Sequence, residues 1–196
     1  MSLFTRLAAR RSGAEPSSPL NADALPSGTV LGGVTLARAI GRGATASVYA
    51  GLDTATQTPR AVKVWRAQPG TDDTASRERF LQEAQRAMGL DHPGIVRVFG
   101  GGTQTGLTFI VMELLAGSTL ARYAAAEQRL PEPLVLDIAA QLAEGLAHAH
   151  RQGVLHRDVK PSNALFDPAT RRAVLTDFGL ARAPDAEASR SGVFIG

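Results

Sequence analysis

The hydrophobic period of this chain changes once along its length. From about Val30 to Leu114, short apolar runs alternate with glycine- or proline-bearing links, the texture of strands joined by tight turns. Beyond about residue 115, leucines recur at helical spacing instead. Strands first and helices afterwards is the pattern of an α+β fold.

Within the first stretch, residues 36–40 and 47–52 flank a glycine-bearing link, Gly41-Arg42-Gly43-Ala44-Thr45-Ala46. Residues 60–66 read as a strand with Ala61, Lys63 and Trp65 on one face and Val62 and Val64 on the other. Asp73 or Thr74 can cap a helix to about Gly89, where Phe80, Leu81, Ala84, Ala87 and Met88 share one arc and Glu83 lies at its edge. After His92-Pro93-Gly94, strands are expected at 95–99 and 107–114, giving five strands and one helix. In the second stretch, Ser118 can cap a short helix to about Gln128. A longer helix at 133–152 carries Leu134, Ile138, Leu142, Leu146 and Ala149 and ends at Gly153. Residues 164–166 and 173–176 read as a small hairpin. The Pro/Ser/Ala-rich start reads as a flexible arm, placed at 1–27.

Composition narrows the chemistry. The absence of cysteine excludes disulfide scaffolds, zinc–thiolate sites and cysteine nucleophiles. No apolar run reaches the roughly 18 residues that span a bilayer, and residues 1–13 lack the apolar core of a secretory signal. A cytoplasmic chain without a membrane segment is expected. A net charge of +3 with scattered basic residues gives no footprint for nucleic acid. Of the 21 basic residues only Lys63 and Lys160 are lysines, and Asn21 and Asn163 are the only asparagines. A compact ammonium and a planar guanidinium are not interchangeable at a single phosphate oxygen, so the two lysine positions carry information.

Three segments could perform chemistry. The glycine-bearing link lacks the helix and downstream acid of a dinucleotide fold, which leaves a strand–turn–strand whose backbone could cover phosphates, or an ordinary hairpin. The loop His156-Arg157-Asp158-Val159-Lys160-Pro161-Ser162-Asn163 sets a carboxylate, an ammonium and a carboxamide close together, a set that suits phosphoryl transfer with Mg²⁺. Asp177-Phe178-Gly179 offers a carboxylate after a strand. His148 and His150, two apart on a helix, face different ways and make no metal site.

Taken in order, the glycine loop, Ala61-Val62-Lys63, Glu83, His156-Arg157-Asp158 through Asn163, and Asp177-Phe178-Gly179 resemble the eukaryotic-like (bacterial-type) serine/threonine protein kinases, from about Leu36 to Gly196. The resemblance implies a five-stranded antiparallel small lobe with one helix at 28–115 and the first part of a mainly helical large lobe at 116–196. It implies ATP and Mg²⁺, and protein serine or threonine hydroxyls as acceptors. By matching position, Ile40, Gly41, Gly43 and Val48 would cover the nucleotide, although Ala46 stands where the family has a third glycine. Ala61 would form part of the adenine ceiling, Met112 would be the gatekeeper and Leu165 would belong to the nucleotide-binding set, with main-chain groups of Glu113 and Leu115 bonding the adenine. Lys63 would hold the α- and β-phosphates and Glu83 would pair with it. Asp158 would act as base, Lys160 would meet the γ-phosphate, and Asn163 and Asp177 would ligate Mg²⁺. Arg157 would pair with a phosphorylated activation loop, for which Ser189 and Ser191 are candidates, while His156 and Phe178 would pack as core. Small-molecule kinases are the nearest rival, and Arg157 with the Asp177-Phe178-Gly179 triplet favours protein substrates.

The resemblance stops inside the activation segment. The 161 residues from Leu36 fall short of the roughly 250 expected of a whole kinase domain. The expectation is a truncated chain in which the apolar face of the 133–152 helix lies bare, so that folding and phosphoryl transfer are impaired. The alternative function is an ATP-binding half-kinase or an interaction module that does not phosphorylate peptides.

Overall fold

The computed structural model describes residues 25–43, 45–66 and 74–178, with Glu83 and Ala126 described in their backbone only. Strands β1 (Val30–Leu31), β2 (Val34–Arg42), β3 (Ala46–Asp53) and β4 (Pro59–Trp65) are followed by helix α1 (Thr74–Met88), then β5 (Val98–Gln104) and β6 (Leu107–Glu113). They form one antiparallel sheet in the order β1-β2-β3-β4-β6-β5.

Alternation along the strands builds two apolar layers. Val62, Val64, Phe109 and Val111 point into one, closed by Leu31, Leu36 and Tyr49. Ile110 and Val98 point into the other, where α1 lays down Phe80, Ala84 and Ala87 at helical spacing. Trp65 meets Phe80 edge-on, ring centroids 5.5 Å apart. Burying a phenylalanine as completely as Phe80 contributes about 1.5–3 kcal/mol. The same layer takes in Ala149, Ala164, Leu175 and Phe178, so one core joins the sheet to the second half of the chain.

That second half consists of β7 (Ser118–Thr119), 3₁₀ turns at Leu120–Ala124 and Ala126–Gln128, helix α2 (Glu132–Arg151), a 3₁₀ turn at Pro161–Asn163, and strands β8 (Ala164–Asp167) and β9 (Arg172–Leu175). The α+β architecture expected from the hydrophobic period is present, with five differences in detail.

The sheet has a sixth strand, the two-residue β1, and the packed chain begins before residue 28. Leu25 is buried, and its N–H donates to the Tyr49 hydroxyl at 3.2 Å. The strand expected at 95–99 lies at Val98–Gln104. Ile95 and Val96 instead cross to β9, with Val96 N–H bonding Leu175 O and Leu175 N–H bonding Gly94 O, both at 2.9 Å. Met88 leaves the apolar arc and is 49% exposed. The short helix expected from Ser118 is replaced by β7, which pairs with Phe166 and Leu165 of β8, and by the two 3₁₀ turns. Thr119 supplies no side-chain cap to continue a helix.

The fifth difference concerns α2. The row expected to lie bare is covered by the β8–β9 hairpin. Ile138 is buried with Phe166 and Ala173, and Leu134 and Leu142 pack against that cluster. Gly145 lets the helix approach the 92–95 turn, since a Cβ there would sit 3.0 Å from Gly94 O. The large apolar side chains left exposed on α2 are Val135 and Leu136.

Candidate active site

A cleft of about 650 Å³ separates the sheet from the 156–177 region. The β2–β3 hairpin contributes Ile40, Gly41, Gly43 and Val48, and β4 contributes Ala61 and Lys63. Met112, Glu113 and Leu115, at and beyond the end of β6, line another side. Asp158, Lys160, Asn163, Leu165 and Asp177 complete it. Every residue expected at the site is therefore in one cleft except Glu83, whose side chain lies outside the described residues, as do Ala44, Ser189 and Ser191.

Lys63 reaches the cleft because β4 is a central strand, with Val48 on one side and Ile110 on the other in register. Its stem is buried, and its ammonium bonds Asp177 Oδ1 at 2.5 Å. A buried cation is tolerated only with such a partner.

Asp158 lies in the loop after α2, which Gly153 (φ +73°) turns away from the helix axis. Lys160 Nζ lies 2.8 Å from Asp158 Oδ2. Asn163 Nδ2 donates to both Asp158 O and Asp158 Oδ2, each at 2.9 Å. The Lys160 hydrogen bond, aided by that from Asn163 and opposed by partial burial, holds the Asp158 carboxyl below the ordinary aspartate range.

The loop is cross-tied to the end of β9. Buried His156 donates from Nε2 to Thr176 O at 2.9 Å and accepts the Asp158 N–H at Nδ1 over 3.3 Å. Its ring packs against that of Phe178, tilted by 56° with centroids 4.5 Å apart. Thr176 N–H bonds Asn163 O at 2.8 Å. Arg157 and Asp177 both adopt left-handed backbone, with φ of +64° and +59°.

The donors facing the polar end are carboxylates and a carboxamide, the hard oxygens that suit Mg²⁺. Asn163 uses its amide nitrogen on Asp158, so the carboxamide oxygen is what it can offer a cation. No described helix is long and apolar enough to cross a membrane. Val96 and Thr176 also line the cleft but escaped sequence reasoning. Val96 belongs to no motif, and the only signal for Thr176 was its place beside Asp177.

A family profile described as the protein kinase domain matches residues 34–194. The serine/threonine-protein kinase PrkC of Bacillus subtilis is 38% identical over 154 residues, covering 79% of this chain and 24% of that protein. PknJ of Mycobacterium tuberculosis, also a serine/threonine-protein kinase, is 36% identical over 162 residues, covering 81% of this chain and 27% of PknJ. The chain thus spans about a quarter of the length of these relatives. A crystal structure of the M. tuberculosis PknI kinase domain superposes with a TM-score of 0.70 at 34% identity, covering 82% of this chain and 65% of that one. With the matched segment holding both halves of the cleft, the chain belongs to the protein kinase family.

Proposed function

We propose that this chain carries the nucleotide site and catalytic loop of a serine/threonine protein kinase that transfers the γ-phosphoryl group of ATP to protein hydroxyls. The observation that carries this reading is the meeting, in one cleft, of the Lys63–Asp177 pair with the Asp158–Lys160–Asn163 cluster. Lys63 would hold the α- and β-phosphates, in concert with Glu83 on α1. Asp158, kept ionised by Lys160 and Asn163, would accept the proton of the attacking serine or threonine hydroxyl. Lys160 would then meet the moving phosphoryl group, and Asn163 and Asp177 would hold Mg²⁺. When bound, Mg²⁺ supplies neutralisation of the phosphate charge. Gly41 and Gly43, without side chains, would let the hairpin backbone come close to phosphates, with Val48 and Ile40 above the nucleotide. Ala61, Met112 and Leu165 would enclose the adenine, and the main chain of Glu113 and Leu115 would bond it. A cytoplasmic setting, where ATP and Mg²⁺ are supplied, suits this reading.

The test is phosphate incorporation from γ-labelled ATP into serine- and threonine-containing peptides by the full-length protein, with Asp158→Asn and Lys63→Met as controls. Transfer that both substitutions abolish supports the reading. Nucleotide binding that Lys63→Met removes, without transfer in the unaltered protein, replaces it with an ATP-binding module.

A further inference from the structure

Arg172, the first residue of β9, spans the seam behind the cleft. Its Nη1 and Nη2 donate to the two carboxylate oxygens of Glu113, the second contact at 3.1 Å. Its Nε donates to Pro93 O at 2.8 Å. The side chains are 34% and 27% exposed, so the pair is largely withdrawn from water. Glu113 is anchored from its other side, its N–H donating to Arg97 O at 2.8 Å. One guanidinium therefore holds three segments together: the end of β6, the 92–97 crossing and the start of β9.

The surroundings make this clamp consequential. A cavity of about 250 Å³ lies between residues 113–116 and the β8–β9 hairpin, lined on the hairpin side by Leu165, Asp167 and Val174 among others. Side-chain packing does not fill the space behind the segment that leaves β6, and the Arg172–Glu113 pair bridges it. Glu113 follows Met112 at one end of the cleft. Arg172 lies five residues before Asp177, the partner of Lys63 at the other end. The fork of an arginine suits this bidentate grip with a third donor to spare, which a lysine cannot reproduce.

We propose that Arg172 is a positioning residue for nucleotide. By clamping Glu113 to β9 it fixes the spacing between the main chain that meets the adenine and the carboxylate at the phosphate end. The ligand in this inference rests on the kinase reading, but the clamp does not.

The experiment uses the full-length protein with Arg172→Met, Arg172→Lys and the charge-exchanged pair Glu113→Arg with Arg172→Glu. Without nucleotide, amide hydrogen exchange over residues 112–117 should quicken by about tenfold in Arg172→Met, the loss expected from a charged hydrogen bond, while β2 and β3 keep their protection. With ATP, KM should rise by about tenfold while kcat changes little. The charge-exchanged pair should recover much of both, and Arg172→Lys little. Unchanged exchange over 112–117 overturns the clamp. Protection lost evenly across the chain, or a fall in kcat with KM unchanged, overturns the positioning role. An unaltered protein that binds no ATP overturns the kinase reading, and the exchange measurement still decides the clamp.

Discussion

One side-chain nitrogen of Asn163 serves two oxygens of Asp158, the main-chain carbonyl and the carboxylate, each at 2.9 Å. Replacing Asn163, itself buried, by alanine removes this donor from the Asp158 carbonyl and leaves the carboxylate oxygen with Lys160. Stability in a denaturant titration should fall by about 1–3 kcal/mol, and kcat should fall with it. An unchanged denaturation midpoint would show that the loop is held without this residue.

The acid limb of activity should answer to Lys160. Its hydrogen bond is the largest cause of the lowered Asp158 pKa. A carboxylate whose folded pKa lies below its unfolded value stabilises the fold above the unfolded pKa, and that contribution is lost as pH falls through the folded pKa. In Lys160→Met the carboxyl moves back toward ordinary aspartate, so the acid limbs of both the kcat/KM profile and the stability profile should shift to higher pH. Profiles that overlay those of the unaltered protein would contradict the assignment of Asp158 as the group titrating there.

Lys63→Met should separate chemistry from folding. Asp177 loses its partner at 2.5 Å, but its side chain is 30% exposed and can be hydrated by solvent. The melting temperature should change little. Phosphoryl transfer should drop by about 10²-fold or more, the scale of losing one fixed electrostatic contact to the reacting group. A comparable loss of stability and activity would make the lysine a packing element.

Gly117 and Gly28 distinguish backbone strain from collision. Both have left-handed φ, +88° and +92°, but a Cβ on Gly117 would lie 2.1 Å from Phe166 O, whereas one on Gly28 meets nothing within 4 Å. Gly28→Ala should cost about 1–3 kcal/mol from backbone strain alone. Gly117→Ala should cost clearly more and should loosen the β7–β8 pairing. Equal losses in urea unfolding would mean that the chain around Gly117 shifts freely.

Much of this was legible in the residues, for identifiable reasons. Strand alternation fixes which way Lys63 points, because a period of two leaves no third direction, and Val62 and Val64 occupy the opposite face as expected. The loop from His156 to Asn163 is short enough that its charged groups meet whatever surrounds it. What could not be read depends on partners far along the chain. Ile95 and Val96 look like a strand, but Leu175 claims their backbone. The glycines that follow look like a loop, but Gly101 permits an edge strand beneath α1, where a Cβ would fall 2.9 Å from Phe109 O and 3.5 Å from Ala84 Cβ. The Arg172–Glu113 clamp links residues 59 apart and belongs to no motif.

The left-handed backbone at Arg157 and Asp177 carries a thermal cost. A side chain held there costs on the order of 1 kcal/mol or more, and only glycine escapes it. Glycine at either position would relieve that cost, so it should raise the tolerance to heat while removing the side chain that the loop or the cleft uses. Heat tolerance and a complete site are thus set against each other at these two residues.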